Sequence, residues 1–163
     1  MKKLFFFLAM FFGVLTSEAQ DTPKAPDTEF VMQLRVKISG AYTVGETPQG
    51  RRTVIPITGG EFSGPGIKGT VLSGGADYQL ANGGRTTLEA IYSILTDDGV
   101  YIHVRNRGII YGGKDGFYFK AAPQFEAPTD SRYDWLNNAI FICSPSSERY
   151  EGGIVLNVWK IKN

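Results

Sequence analysis

From Thr86 to Arg107 apolar and polar residues alternate with a period of two, interrupted once by Thr96-Asp97-Asp98-Gly99. A period of two is the signature of a strand with one face buried. Leu88, Ala90, Tyr92 and Ile94 precede the interruption, and Val100, Ile102 and Val104 follow it, all at even positions. A type I turn with Gly99 in a left-handed bulge position pairs Thr96 with Val100 and keeps both apolar sets on one face. A two-residue Asp98-Gly99 turn would set Val100 beside Asp97 and mix the faces, so register selects the bulged turn. The predicted cross-strand pairs are then Glu89 with Arg107, Ile91 with Arg105 and Ser93 with His103.

The same alternation runs from Phe30 to Ser39. Further strands are predicted over 52–57, 67–73, 76–80, 117–120, 139–143 and 154–161. Both faces of the last strand are largely apolar. Gly59-Gly60, Gly64-Pro65-Gly66, Gly74-Gly75 and Gly83-Gly84 read as turns between them. Pro56 places its strand at an edge or near a strand end. Pro123 to Pro128 reads as irregular. Residues 130–138 read as one short helical turn, capped by Asp130 or Ser131. Short strands at this spacing, with glycine turns and no long amphipathic helix, give an all-β domain, either a sandwich or a barrel.

The N-terminus is of another kind. Lys2 and Lys3 precede an apolar run from Leu4 to Leu15, and Thr16, Ser17 and Ala19 supply small residues. This is the pattern of a secretory signal cut after Ala19. The run is shorter than the roughly 18–20 apolar residues that span a bilayer. Residues 1–19 are therefore expected to be a signal peptide, 20–29 a disordered lead-in and 30–163 a single β domain, located in the periplasm or secreted. The whole chain has 17 Lys and Arg against 16 Asp and Glu. Cleavage removes Lys2, Lys3 and Glu18, leaving 15 of each and no net charge. A neutral domain lacks the positive excess that non-specific nucleic-acid or anionic-membrane binding needs. No nucleic-acid partner and no membrane span after cleavage are expected, and the oligomeric state is left open.

Site chemistry is sparse. Gly64-Pro65-Gly66-Ile67-Lys68-Gly69 fits G-x-G-x-x-G, but strand-forming Thr70, Val71 and Leu72 follow it. The dinucleotide fingerprint works because a helix N-terminus follows, so this is a turn. One His and one Cys exclude the usual metal clusters, and Asp97 and Asp98 have no calcium-loop spacing. No metal and no cofactor are expected. Cys143, flanked by strand residues, reads as a buried inert thiol. Ser93 lies within reach of His103, but no nucleophile-elbow sequence is present. The polar hairpin face carries Glu89, Tyr101, His103 and Arg105. Lining a cavity, it would suit a polar or anionic ligand. Facing water it is ordinary surface, which the pattern favours.

A set of motif pieces runs in order through the domain. They are Gly50-Arg51-Arg52, the run from Pro56 to Pro65, Gly69-Thr70-Val71-Leu72 and the run from Gly74 to Gln79. Leu88-Glu89-Ala90, Thr96-Asp97-Asp98-Gly99, the run from Val104 to Gly108 and the run from Tyr133 to Asn137 complete the set. With these the chain resembles domain-of-unknown-function family 3237, small uncharacterised bacterial and fungal proteins. The resemblance implies an antiparallel β-barrel of the lipocalin-like kind, enclosing a pocket lined by alternate residues, and no settled activity. It also implies roles for Arg52, Asp77 and Glu89. This chain departs from the family pattern in carrying Tyr78 for a frequent Trp, Glu89 for Asp, Ile91 for Arg and His103 for Tyr.

Asp77 and Glu89 together in a dry pocket would separate into an acid and a base. Alternatively Asp77 caps the amides of the Gly74-Gly75 turn. The candidates are thus Asp77, Glu89 and His103 for catalysis, and Arg52, Tyr92, Tyr101, Arg105, Trp135 and Asn137 for ligand binding. The leading expectation is an exported small-molecule-binding barrel. A cofactor-free acid–base enzyme of isomerase, lyase or cyclase type, and a structural or interaction module, are the alternatives.

Overall fold

The computed structural model describes residues 22–114 and 116–162. The expected signal peptide, residues 1–19, lies outside the described residues. Ten strands follow in order: β1 (Thr28–Ile38), β2 (Tyr42–Thr47), β3 (Gly50–Gly64), β4 (Ile67–Val71), β5 (Ala76–Asn82), β6 (Arg85–Thr96), β7 (Tyr101–Gly113), β8 (Gly116–Glu126), β9 (Phe141–Pro145) and β10 (Gly153–Ile161). One 3-10 helix, Asp134–Asn138, lies between β8 and β9.

The sheet closes on itself. Its order is β1-β10-β9-β8-β7-β6-β4-β3, and β3 pairs back to β1. β4 and β5 share one stave between β3 and β6, and β2 continues β1 along the first half of β3. The result is a closed eight-stranded antiparallel barrel. Closure leaves most strand edges paired, which the short, glycine-punctuated strands could not achieve as an open sheet.

The hairpin register follows from the turn. Glu89 faces Arg107, Ile91 faces Arg105 and Ser93 faces His103. Thr96 N–H donates to the Val100 carbonyl at 3.0 Å, Gly99 N–H donates to the Thr96 carbonyl at 2.9 Å, and Gly99 has φ 86°. The even positions face inward: Ile94, Ile102 and Val104 are fully buried. They meet Met32, Leu34, Phe62, Phe125, Phe141 and Val158 in the core.

Two sequence expectations need correction. β3 does not end near Pro56 but runs on through Gly59-Gly60 to Gly64. Pro56 sits where β2 hands over to β1, so its missing N–H interrupts no ladder, and its carbonyl accepts from Ser39 N–H at 3.0 Å. The bulge falls at Thr58, left unpaired between Ile57 and Gly59 as the register shifts between Lys37 and Ile38, and Gly59 and Gly60 follow it with positive φ, Gly60 passing close to the β1 backbone. Pro123 lies inside β8, opposite Asn106. β8 bridges β9 only at Ala121–Cys143, so no ladder there needs a proline N–H.

The two ends of the barrel differ. The β2–β3, β5–β6 and β7–β8 hairpins project from one end. The β3–β4 and β6–β7 turns and the segment holding the 3-10 helix gather at the other. Leu136 and Tyr133 are buried there, and the Tyr133 hydroxyl donates to Asp98 Oδ1 at 2.8 Å. This end is plugged. No side chain caps the helix; Ser131 Oγ instead accepts the Tyr133 N–H at 3.2 Å.

Candidate functional site

Above the apolar core, toward the hairpin end, the barrel encloses a cavity of about 110 Å³. Its walls are largely aliphatic and include Val36, Ile57, Leu88, Ile154 and Leu156, with Phe119 beside them. Four polar side chains also line it: Asp77, Gln79, Tyr92 and Asn106.

Register explains how they converge. Asp77 on β5 pairs with Ala90 on β6, and Ala90 pairs with Asn106 on β7. Adjacent strands lie about 4.8 Å apart, so Asp77 and Asn106 flank Ala90 in one inward-facing row. The methyl of Ala90 is too small to fill the space between them. Gln79 lies one row nearer the hairpins and Tyr92 one row deeper.

Three side-chain atoms in this cavity are buried without a hydrogen-bond partner: Asp77 Oδ1, Tyr92 Oη and Asn106 Oδ1. An orphaned buried polar atom costs roughly 1–3 kcal/mol. Each such atom calls for a partner beyond the fold's own groups, whether an ordered water or a bound molecule. Asp77 Oδ2 accepts from Gln79 Nε2 at 2.8 Å. Burial pushes the Asp77 carboxyl above its ordinary range, while hydrogen bonds from the Gln79 side chain and the Glu89 backbone pull the other way. Burial also drives the Tyr92 phenol far above its ordinary range, which keeps its proton in place. Asn106 donates from Nδ2 to Cys143 Sγ at 3.8 Å, and burial pushes that thiol up to about 12, so it stays protonated. The cavity therefore combines one carboxyl, raised by burial, with three neutral polar groups, Gln79, Tyr92 and Asn106, in apolar surroundings.

The other candidates lie elsewhere. Glu89 pairs with Tyr78, on the face opposite Asp77, because neighbouring positions of a strand point to opposite sides. The two carboxylates do not share a pocket. Glu89 Oε1 accepts from Arg105 Nε and Arg107 Nε, each at 2.7 Å, and the Arg107 and Arg105 guanidinia hold its carboxyl below the usual range. His103 lies on the same outer face, its Nδ1 3.4 Å from Ser93 Oγ. Tyr101 is 62% exposed, opposite Leu95. Arg52, opposite Leu80, shares the outer face with Val54 and Tyr78.

Trp135 and Asn137 line a wider, open depression of about 1010 Å³ at the plugged end, together with Glu29 and Lys160. Lys160 Nζ lies 5.5 Å over the Trp135 ring and 3.2 Å from Glu29 Oε2. Asn137 clamps the backbone of Ala127 through both its amide atoms, at 2.8 and 2.9 Å. Both side chains are engaged in holding the plug. None of the three orphaned atoms lines this depression, which leaves the interior cavity as the candidate site.

Of the nine candidates, the structure brings Asp77 and Tyr92 together in the interior cavity, Glu89 and Arg105 together on the outer face, and Trp135 and Asn137 together at the plugged end. Asn106 and Gln79 complete the interior set. The signal for Asn106 was present in the alternation: position 106 continues the inward even series after Ile102 and Val104, so a polar residue there breaks the apolar phase. Glu89→Ala, by contrast, removes an exposed ion-pair cluster. It is expected to change stability by about 1 kcal/mol or less in urea unfolding and to leave ligand binding intact.

A family model described as a protein of unknown function, DUF3237, matches residues 26–161. A UPF0311 protein of Rhodopseudomonas palustris is 35% identical over 150 residues, covering 83% of this chain and 96% of that one. The crystal structure of a conserved protein of unknown function from the same species superposes with a TM-score of 0.78 at 33% identity, over 86% of this chain and all of that one. A Penicillium herquei protein named as a hydroalkoxylation enzyme is 28% identical over 127 residues, 78% of each chain.

Proposed function

The chain belongs to the DUF3237 family, and from that premise we propose that the barrel is a cofactor-free enzyme whose interior cavity binds a small molecule and moves a proton through Asp77. The observation that carries this reading is the convergence of three orphaned polar atoms on one apolar cavity, one of them on a carboxyl raised by burial. Burial raises the Asp77 carboxyl, which strengthens it as an acceptor of the substrate's proton, and the same group then returns that proton. Tyr92 keeps its proton and donates a hydrogen bond to an oxygen of the bound molecule. Asn106 orients it.

The reaction class that suits these groups is addition of an O–H across a C=C bond, or its reverse. The hydroxyl loses its proton to Asp77, the oxygen bonds to one alkene carbon as the C=C π bond breaks, and Asp77 gives a proton to the other carbon, which returns the carboxylate. Nothing is oxidised or reduced, so no redox cofactor is required. The relative named as a hydroalkoxylation enzyme supports this choice. Residues 1–19 are proposed to direct export, placing the reaction in the periplasm or outside the cell.

The test is incubation with a panel of ortho-allyl phenols, 3-allylcatechol among them, in D₂O. Closure to the dihydrobenzofuran should place deuterium on the new methyl group, and the Asp77→Asn protein should lose the rate. No cyclisation with any member, or a rate unchanged in Asp77→Asn, contradicts the reading.

A further inference from the structure

The atoms left unpartnered in the cavity specify the hydrogen-bonding pattern of what fills it. Asp77 Oδ1 and Asn106 Oδ1 are both acceptors, and Tyr92 Oη both donates and accepts. Among the described residues, no Lys, Arg or His lines the cavity. Nothing there compensates an anionic ligand. Resting on the interior-site reading above, we propose that the ligand is an uncharged molecule whose buried end presents two hydroxyl donors, one to Asp77 and one to Asn106.

A carboxylate or phosphate ligand would place its charge beside Asp77 with no cation to balance it, and would offer acceptors where donors are needed. A primary ammonium supplies donors, but it requires an ion pair sealed among Val36, Ile57, Leu88 and Leu156. The desolvation of two ions in such surroundings offsets much of their attraction. Two hydroxyls satisfy both acceptors without bringing a charge inside. Asp77 and Asn106 stand on opposite sides of Ala90, so the donors must diverge from one small ring or chain rather than sit on a single atom.

Size points the same way. A cavity of about 150 Å³ holds benzene. At about 110 Å³ this one takes the dihydroxylated end of a ring, and the rest of the molecule passes Phe119 and Ile154 toward the hairpins.

Calorimetric titration of the full chain at pH 7 with catechol, phenol, benzoate and benzylamine tests the inference. Catechol should bind best, and phenol, which lacks one donor, roughly 3- to 10-fold more weakly, the effect of one hydrogen bond. Benzoate and benzylamine should be at least tenfold weaker than catechol. Tighter binding of benzoate or benzylamine than of catechol, with Ala90→Leu abolishing it, overturns the ligand class and leaves the interior site standing. Equal binding of phenol and catechol overturns the two-donor requirement alone. Failure of all four to bind, or binding that survives Ala90→Leu, overturns both the class and the site.

Discussion

Asp77→Asn is expected to raise thermal stability at neutral pH while lowering turnover by roughly 10²- to 10⁴-fold, the usual worth of a positioned acid–base group. Both effects follow from one fact. Burial raises the Asp77 carboxyl above its ordinary value of 3.8, so the folded protein holds this proton more tightly than the unfolded chain does. Stability that depends on this group is complete below pH 3.8 and is lost as pH rises through the folded value. At pH 7 the ionised form burdens the fold, and the amide does not. Asn keeps an acceptor for Gln79 Nε2 and leaves no more polar atoms orphaned than Asp does. Scanning calorimetry should show the Asp77→Asn protein melting above wild type at pH 7, with the gap closing toward pH 3.5. A lower melting temperature at pH 7 would mean that Asp77 is stabilised by a partner and is structural. A gain in stability on loss of activity is the trade-off expected of a site held against the fold's preference.

The second large effect is structural. Gly60→Ala is expected to destabilise the barrel by roughly 3–5 kcal/mol, enough to prevent folding of a marginally stable domain. Gly60 has φ 134°, a conformation that L side chains rarely adopt, and a methyl there would overlap the Arg35 carbonyl oxygen across the β1–β3 ladder. That ladder closes the barrel. Gly66→Ala is the control: its φ is 73°, but a methyl there meets open space. It should cost only about 1 kcal/mol, the conformational term alone. Urea unfolding of the two proteins separates them. Similar losses would show that strain at φ, rather than close backbone approach, governs both positions.

These glycines show what was and was not legible in the sequence. The register of the β6–β7 hairpin was legible, though not its full length, because one alternation and one bulged turn allow a single register that keeps the apolar set together, while β7 runs past Arg107 to Gly113. Gly59-Gly60 was not, because a glycine pair that bends a strand looks the same as one that ends it. Only the partner strand, β1, distinguishes the two, and its contact is distant in sequence. Pro56 and Pro123 misled for a related reason: a proline is excluded from a strand only where its N–H would have a partner, and at these positions none faces it.

The candidate site was half legible. Asp77 and Tyr92 could be named from the sequence, yet the polar face of the hairpin drew Glu89, Tyr101, His103 and Arg105 into the candidate list. Those residues are numerous because that face meets water. In a barrel, function is signalled by the opposite pattern, a polar residue at an inward position. Asn106 is such a residue, and so is Asp77 once β5 is placed in register with β6.

Ligands are expected to enter the cavity between Asp77 and Asn106 and nowhere else on this surface. Thermal-shift screening of one metabolite library against wild type, Ala90→Leu and Glu89→Ala tests it directly. The Ala90→Leu substitution fills the gap in the inward row with aliphatic bulk, whereas Glu89→Ala changes only the outer face. Compounds that stabilise wild type should lose their effect on the Ala90→Leu protein and keep it on the Glu89→Ala protein. Compounds that still stabilise the Ala90→Leu protein, or that fail only on the Glu89→Ala protein, would place the site on the outer wall and contradict the account.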